Sequence, residues 1–576
     1  MLRIRSSRRA LSVLLFGLAS SCQPASPPAV AYGVEPGPAS SVSSVLEPNL
    51  GPASAAITAE FLKTQIAQFS ADDFEGRGPG TRGDLKARAY LSQQLAALGV
   101  TAVNGARGLE QSVELVGLEA HLPKTWSFES GARSVSLNWW DQYIAGSGVQ
   151  TTTGAIDQAE VVFIGYGIEA PEYGWDDFKG QSVKGKVVLV LNNDPDWDPS
   201  IFAGKTRLYY GRWTYKYENA ARHGAVAAII VHTTASAGYP YQVVQSSWGG
   251  EQFALPSDGP TSLKLKAWVT EDAARSLVAL SGQSLDRLQT LARSRDFKPV
   301  PLGIKTSLHF DNQVERVQTA NVIGKIAGSD PGLSDEYVVL SAHHDHLGIG
   351  KPDATGDAIY NGALDNGAGV AQVLSIVKAL HSLPTPPRRS VLVLFPAAEE
   401  AGLLGSQYFT EHLPVPAGKI AANLNYDGGN IWGRSRDVTQ IGKGKSSLDA
   451  VVARVASQLG RTVEGDQFPD RGTFYRSDQF NFAKIGVPAL YLKTGTDFID
   501  RPPDWGKQQI LAFEAKRYHQ PSDQLAPDWN FDGMVDDARF GFLAALVIAN
   551  ADGAPTWTPG DEFEAARRAA LAAAPH

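Results

Sequence analysis

Five short segments in the second half of the chain carry histidine and carboxylate residues, which can bind metal ions and transfer protons. The first, His343–His346, reads His-His-Asp-His and lies just after the apolar run Tyr337–Leu340. A metal-binding imidazole usually has its second ring nitrogen held by a carboxylate, and Asp345 is well placed to hold that of His343. This segment predicts a metal ligand together with its hydrogen-bonding partner.

The second segment contains two adjacent glutamates, Glu399 and Glu400, after the apolar run Ser390–Phe395. Neighbouring residues of an extended chain point to opposite sides, so the two side chains can take different roles. One could bind a metal while the other acts on the attacking water as a general base. The alternative is a solvated acidic helix start, which the apolar pair Leu403-Leu404 disfavours.

Three further segments fit the same kind of site, and each by itself is more often a cap or a turn. Asp365 lies in a tight turn before a helix, Asp427 follows an apolar stretch, and His519 has an acid, Asp523, four residues on. Together the five segments supply two histidines and three carboxylates. Such a set suits two divalent cations about 3.5–4 Å apart and bridged by one carboxylate. Zinc fits a mixed set best, although cobalt or manganese could occupy it.

The elements around these segments alternate between short apolar strands and amphipathic helices from residue 319 onward. A helix predicted at 367–380 separates two of the strands. Continuous apolar strands joined by helices predict a doubly wound, largely parallel sheet of an α/β fold, in which some pairing is mixed. Ligands of such sheets bind beyond the carboxyl ends of the strands, which is where the five segments lie.

In this order and spacing the segments resemble the M28 family of zinc peptidases, which includes bacterial aminopeptidases and glutamate carboxypeptidase. The resemblance implies two zinc ions per chain. His343 and Asp427 would bind one ion, and Glu400 and His519 would bind the other. Asp365 would bridge the two ions.

The resemblance also implies roles around the metal ligands. Glu399 would be the general base, and Asp345 would hold the second nitrogen of His343. The peptide between Asp365 and Asn366 would be cis. From spacing alone we expect Asp523 to orient His519 in the same manner.

Residues 476–488 are similar to the family's Ser-Asp-His segment, but Gln479 stands where histidine is common. We expect substrate contacts from Tyr475, Ser477 and Asp478. Tyr475 could stabilise the oxyanion or pack in the core.

Residues 130–300 form a strand-rich module of different character. Strands are predicted at 161–165 and 186–191, and a helix at 217–225 leads into a buried strand at 228–231. These segments resemble a protease-associated (PA) domain. The predicted organisation is therefore a peptidase domain made of residues 57–129 and 301–570, with a β-rich PA domain inserted at 130–300.

A glycine-rich turn, residues 75–81, lies between two helical patterns near the start of the peptidase domain. Phosphate-binding loops follow a strand and end in Lys-Ser or Lys-Thr, and this turn does neither. It does not predict a nucleotide site.

The N-terminus has the pattern of an export signal. Arginines precede an apolar run at 10–19, and Cys22, the single cysteine of the chain, follows in a context similar to a lipoprotein cleavage site. We expect residues 1–22 to be a lipoprotein-type signal peptide and 23–56 a flexible linker. Lipidated Cys22 would tether the protein without spanning the membrane, in the periplasm or at the outer membrane. A twin-arginine signal at Arg8-Arg9 and simple secretion are the alternatives.

Composition narrows the function further. The chain has 576 residues, of which 43% are hydrophobic and 19% charged, as in ordinary globular proteins. Loss of residues 1–21 moves the formal charge from −8 to −12, which disfavours nucleic acid as a partner. One cysteine cannot form a disulfide framework.

The sequence therefore predicts a zinc exopeptidase that acts on peptides, most simply an aminopeptidase. A glutamate-carboxypeptidase-like enzyme or a dipeptidase could use the same site, and recognition of a C-terminal carboxylate would need an arginine cluster. The arginines in this region are scattered in sequence: Arg471, Arg476, Arg501 and Arg517. A glutaminyl cyclase would hold a single ion, and an inactive binding protein would lack ligands. No pattern predicts an oligomeric state.

Overall fold

The computed structural model describes residues 50–103, 108–257 and 263–574. The expected signal peptide, Cys22 and most of the expected linker lie outside the described residues. The helices are α1 (Leu50–Ala55), α2 (Ala59–Phe69), α3 (Arg82–Ala97), α4 (Trp213–Arg222), α5 (Thr234–Ala237), α6 (Tyr241–Trp248), α7 (Glu271–Leu280), α8 (Leu285–Ala292), α9 (Gly369–His381), α10 (Leu404–Glu411), α11 (Leu448–Leu459), α12 (Gln479–Lys484), α13 (Trp505–Lys516), α14 (Asp532–Asn550) and α15 (Glu564–Ala573).

The strands are β1 (Glu110–His121), β2 (Thr125–Ser130), β3 (Arg133–Asn138), β4 (Tyr143–Ser147), β5 (Thr153–Phe163), β6 (Glu169–Ala170), β7 (Trp175–Asp176), β8 (Val187–Leu191), β9 (Ala227–His232), β10 (Gln252–Ala254), β11 (Leu265–Thr270), β12 (Val300–Ile326), β13 (Tyr337–Ser341), β14 (Ser390–Phe395), β15 (Ile420–Asn425), β16 (Asp437–Ile441), β17 (Thr462–Glu464) and β18 (Ala489–Thr494).

The peptidase part is a sheet covered by helices on both faces. Its strand order is β17-β16-β18-β15-β13-β14-β12, and the central strands β14, β13, β15 and β18 are parallel. Helices α2, α3, α9, α11 and α14 contribute to the hydrophobic core on one face, and α10 and α12 pack with Leu392 and Leu394 on the other. The central strands are apolar along their length because both faces are buried. The predicted α/β fold with a largely parallel sheet is confirmed.

The strand-rich module has its own sheet segment and its own cores. Strands β5, β8, β9 and β11 are parallel, and β4 closes the edge in the antiparallel direction. Trp126 and Phe128 pack in the core on one face, and Trp268 packs in the core on the other. The predicted strands and the helix between them are present; β5 begins eight residues before the expected start at 161, and the other ends agree to within four residues.

One strand joins the two modules. The 27-residue strand β12 pairs with β5 from Val300 to Asp311, with β1 as far as Val322, and with β14 from Val322 to Ile326. The two sheets are therefore one continuous hydrogen-bonded sheet. Because this ladder is continuous, the position of the strand-rich module relative to the peptidase strands is set by backbone pairing.

Among the described residues, no helix combines the length and the apolarity that crossing a bilayer requires.

Candidate metal centre

Three of the five segments meet because their strands are parallel neighbours. Strand β13 leads to His343, β14 to Glu399 and Glu400, and β15 to Asp427. The carboxyl ends of parallel strands lie at the same edge of a sheet. The turn that carries Asp365 and the loop that carries His519 complete the group.

Asp365 lies between the two imidazoles. Its Oδ1 is 3.3 Å from His343 Nε2, and its Oδ2 is 3.2 Å from His519 Nε2. Asp427 Oδ1 is 3.9 Å from His343 Nε2, and Glu400 Oε2 is 2.9 Å from His519 Nε2. The structure thus brings together all five expected ligands, with one carboxylate facing both halves of the set.

The free atoms of this group fit metal ions. The Nε2 atoms of His343 and His519 are buried, and neither makes a well-aligned hydrogen bond. Two sets of donor atoms lie within 4.8 Å of one another: His343 with Glu399 and Asp427, and His346 with Asp365 and Glu400. Imidazole and carboxylate donors of this kind suit zinc.

The electrostatics favour bound cations. Burial raises the pKa of Glu399 well above its usual range, and the charges of neighbouring acids raise it further. At His343 burial lowers the pKa, but the charge of Glu399 and hydrogen bonds to Asp365 and Asp427 outweigh burial and hold the pKa well above its usual range. Buried acids that repel each other in this way are stabilised by a nearby positive ion.

Asp345 connects two of the segments. Its carboxylate accepts hydrogen bonds from the backbone N–H groups of Glu399 (3.0 Å) and Glu400 (3.3 Å). Its Oδ1 is 3.8 Å from His343 Nδ1, and its carbonyl oxygen is 3.3 Å from the same nitrogen. The side chain therefore holds the glutamate loop as well as facing the imidazole.

Asp523 does not orient His519, contrary to the expectation from spacing. Its carboxylate accepts the backbone N–H groups of Leu364 and Asp365, each at 3.0 Å. The second nitrogen of His519, Nδ1, lies 2.8 Å from the Oγ of Ser247. Ser247 belongs to α6 of the strand-rich module, 272 residues away in sequence, so no local pattern could have found it.

Two other residues hold the Asp365 turn and the second set of ligands. The Asp365-Asn366 peptide is cis, as the resemblance implied. Asn366 Nδ2 donates to the carbonyl of Tyr426, next to Asp427, at 2.9 Å. His346 Nδ1 lies 2.6 Å from Glu400 Oε1. The His-His-Asp-His sequence includes His346, but only the fold shows that this side chain lies beside Glu400.

The glycine-rich turn contributes a buried arginine to this region. Arg77 has no exposed surface, and its guanidinium donates to four carbonyl oxygens. Three of these belong to the loops that carry the expected ligands: His344, Asn361 and Gly362. The turn thus supports the site from behind, because one planar donor ties both loops together.

Of the expected substrate contacts, Tyr475 lines a cleft that also contains Glu400 and His519, and the other two lie within the fold. Ser477 and Asp478 are fully buried, and Ser477 Oγ accepts a hydrogen bond from Asn425. Tyr475 packs in an aromatic core, and its hydroxyl donates to Glu562 at 2.7 Å. Gln479, at the position where histidine is common, accepts from Asn425 and donates to the carbonyl of Phe474. The hydrogen bonds of Tyr475, Ser477 and Gln479 are thus made within the wall behind the site.

Two clefts open on either side of Glu399, which lines both. The first has apolar walls and charged side chains of both signs; its apolar side chains include Trp432, Val438, Phe468, Ile510 and Phe513, and its cations are Arg471, Arg476 and Lys493. The second lies between the peptidase strands and the strand-rich module, and His519 and Glu400 line it. Tyr518, which sequence reasoning did not single out, lines both clefts.

The fold and the site define a class: an α/β protein with a candidate two-metal centre at the carboxyl ends of its strands. Residues 321–540 match the profile of peptidase family M28, and residues 157–261 match that of the PA domain. Residues 321–540 therefore resemble the peptidases of family M28, and residues 157–261 resemble PA domains.

Similar proteins include several aminopeptidases. The chain is 26% identical to a probable leucine aminopeptidase 2 of Aspergillus oryzae, over 64% of this chain and 63% of that protein. It is 23% identical to aminopeptidase Y of Saccharomyces cerevisiae, over 73% of this chain and 66% of that protein. The match spans less than two thirds of the A. oryzae protein, and 48% of a similarly named protein of Aspergillus fumigatus.

A solved structure shares the fold. The aminopeptidase from Aneurinibacillus sp. strain AM-1 superposes with a TM-score of 0.51 at 18% identity, and the alignment covers 88% of this chain and 98% of that one.

Proposed function

We propose that this protein is a two-zinc metallopeptidase that releases residues from the N-termini of peptides. The observation that carries the proposal is Asp365, whose two oxygens face the buried Nε2 atoms of two imidazoles, neither of which makes a well-aligned hydrogen bond. In the proposed assignment His343 and Asp427 hold one zinc, Glu400 and His519 hold the other, and Asp365 bridges them. The cations, when bound, would acidify the attacking water and polarise the scissile carbonyl.

Glu399 is the proposed general base. It lies between the two clefts and 3.9 Å from His343 Nε2, and its backbone N–H is held by Asp345. Its carboxylate would accept the proton of the attacking water and pass it to the leaving amine.

Tyr518 is the proposed donor to the carbonyl oxygen, in place of Tyr475. It lines both clefts, and its ring lies 3.9 Å from that of His519. Burial raises the pKa of its hydroxyl well above the usual range, so the group stays protonated and able to donate. Donors that meet developing negative charge are among the strongest catalytic contributors.

The first cleft supports the choice of N-terminal residues. Carboxylates of Asp365, Glu399, Asp427 and Asp466 line it together with three cations, Arg471, Arg476 and Lys493, and the carboxylates suit a positively charged α-amine. Its apolar walls would accept a large apolar side chain of the first residue. The relatives named as aminopeptidases support the same conclusion.

The test is a pair of peptides that differ only at the N-terminus. The free-amine peptide should be cut, and its N-acetylated twin should not, as product analysis by mass spectrometry would show. Metal analysis of the same protein should find close to two zinc ions per chain. Rapid release of the C-terminal residue from the acetylated peptide would overturn the aminopeptidase assignment, and a single tightly held ion would favour a cyclase-type reaction.

We further propose that the chain is exported and tethered through lipidated Cys22. Two observations support this: the sequence around Cys22, and a relative named as a probable lipoprotein aminopeptidase of Mycobacterium tuberculosis, 28% identical over 38% of this chain and 44% of that protein. Expression with labelled fatty acid should label the protein and not its Cys22→Ala variant. Equal labelling of both would refute the tether.

A further inference from the structure

His346 lies beside the proposed metal ligands without being one of the five. Its side chain has no exposed surface, and its Nδ1 is 2.6 Å from Oε1 of Glu400. The other oxygen of Glu400, Oε2, lies 2.9 Å from His519 Nε2. The two oxygens of this one carboxylate therefore face two different imidazoles, of which only that of His519 belongs to the proposed ligand set.

The chemistry of the two groups indicates which of them donates. An ionised carboxylate can only accept, so Nδ1 of His346 carries the hydrogen and Oε1 of Glu400 accepts it. The opposite nitrogen of the ring, Nε2, is buried and has no hydrogen-bond partner among the described residues. A ring protonated on Nδ1 alone has no hydrogen at Nε2, so this arrangement leaves no buried N–H group without an acceptor.

The surrounding backbone holds the ring of His346 in this position. Its backbone N–H donates to the carbonyl of Arg77 at 3.4 Å, and the Arg77 guanidinium donates to the carbonyl of Gly362 at 3.0 Å. Gly362 has a φ of 57°, and a Cβ at this residue would lie 2.7 Å from His346 Cδ2. Glycine is therefore needed here both for the backbone conformation and for the space that the ring occupies.

His344, in the same segment, has different partners. Its Nδ1 is 3.1 Å from the carbonyl oxygen of Phe395, and its Nε2 is 3.2 Å from Oδ1 of Asp84. Neither of these is a proposed metal ligand. The contact with Glu400 is therefore particular to His346 and is not a general property of the buried histidines in this segment.

The contact limits how Glu400 can bind an ion. A carboxylate can bind a metal with one oxygen or with both. With Oε1 held by His346, only Oε2 remains free, on the side where His519 and Asp365 face each other at 3.2 Å. Three protein atoms, one from each of these three ligands, would then hold the ion. Catalytic zinc sites have this number of protein ligands and keep a further position for water or substrate.

We infer that His346 is a positioning residue that holds Glu400 to one-oxygen binding and so strengthens this half of the metal centre. The inference rests on the proposed function and adds a partner to its ligand set. Carboxylates that bind metals are in turn hydrogen-bonded by other groups, and loss of such a partner typically weakens metal binding about 10- to 100-fold.

The experiment removes zinc from the protein with a chelator and measures the affinity for each ion. His346→Leu has a similar volume and no donor, so one ion should bind about 10- to 100-fold more weakly and the other as before. His346→Asn should restore most of the affinity, because its amide nitrogen can donate from a place near Nδ1. His412→Leu is the control, since His412 is exposed and contacts the carbonyl of Tyr408.

Two results of this experiment would overturn the inference. Unchanged affinity for both ions in His346→Leu would show that the hydrogen bond to Glu400 has no effect on metal binding. Equal weakening in His346→Leu and His346→Asn would show that the packing of the ring matters and its donor does not.

A second measurement needs no substitution. X-ray absorption of the zinc-loaded, unmodified protein should show two imidazoles for two ions, from His343 and His519. Three imidazoles would make His346 a ligand and overturn its positioning role, even if His346→Leu fails to fold.

Neither measurement depends on hydrolysis, so the inference and the proposed function can fail separately. Selective weakening of one ion in His346→Leu, in a protein that cuts no peptide, would contradict the proposed peptidase and support the role of His346. An active two-zinc peptidase whose metal affinities are the same in His346→Leu would do the reverse.

Discussion

The peptidase and PA modules both bury charged side chains, but with different results. In the peptidase module, acids and imidazoles from five loops face one another with donor atoms left free. In the PA module, Lys216 donates to the carbonyls of Tyr166 and Asn193, both at 2.7 Å, and Asp177 accepts from Ile168 and Trp175. The hydrogen bonds of these charged groups hold loops of the PA module in place.

Two PA residues are exceptions, and they show what the module adds. Ser247 lies against a proposed metal ligand, and Arg212 lines the second cleft. Aromatic packing of Trp248 against Trp213 and Tyr217 holds this region in place. The comparison therefore places the proposed ligands in the peptidase module and a hydrogen-bonding partner of one of them in the PA module.

Replacement of the proposed general base should have the largest effect. In Glu399→Gln the side chain keeps its size and loses its proton-accepting oxygen, so kcat should fall by about 10²- to 10⁴-fold. Metal content, measured by elemental analysis, should stay at that of the unmodified protein. Near-normal turnover with both ions retained would contradict the role of Glu399.

The contact between Ser247 of the PA module and His519 of the peptidase module should affect the affinity for metal. Ser247→Ala removes the hydroxyl beside His519 Nδ1, and loss of such a partner typically weakens metal binding by about 10- to 100-fold. Competition with a chelator would measure this, independently of activity. Ser246→Ala is the control, because the Ser246 hydroxyl bonds only the backbone of its own helix. If the two variants bound zinc equally well, Ser247 would have no part in orienting the ligand.

Replacing each of the two tyrosines by phenylalanine should distinguish a structural hydroxyl group from a catalytic one, with the smallest effect on kcat at Tyr475. Tyr475→Phe breaks a hydrogen bond to Glu562, so we expect about 1 kcal/mol lower stability and an unchanged kcat. Tyr518→Phe should lower kcat by about 10-fold or more, since it removes a donor to the developing charge. Steady-state kinetics and thermal unfolding of both variants would measure the two effects. The reverse order of kcat losses would return the oxyanion role to Tyr475.

Much of the peptidase fold could be predicted because its signals are local. The apolar runs at β13, β14 and β15 have strand length, and helix α9 has a regular apolar repeat. Strand β12 was missed as a single element, although the alternating burial of its first half matches alternating residues in the sequence. Its two halves pair with different modules, and that pairing is not visible in the sequence.

Part of the candidate site could likewise be predicted from the sequence, and part could not. The expected ligands follow strands directly, so a parallel sheet brings them together, although their binding of zinc stays a prediction. Asp523 was wrongly expected to orient His519, because spacing along the chain does not show which polar group lies nearest in space. Ser477 and Asp478 carry a family-like sequence, but the fold buries them.

The sequence by itself determined the chemical types and their order: two histidines, three carboxylates and a base, each at the end of a strand or in a turn. Only the tertiary structure decided which groups complete the site. Ser247 and Arg77 lie far from their partners along the chain. Their roles depend on long-range packing of one module against the other, and such packing leaves no periodic or local mark in the sequence.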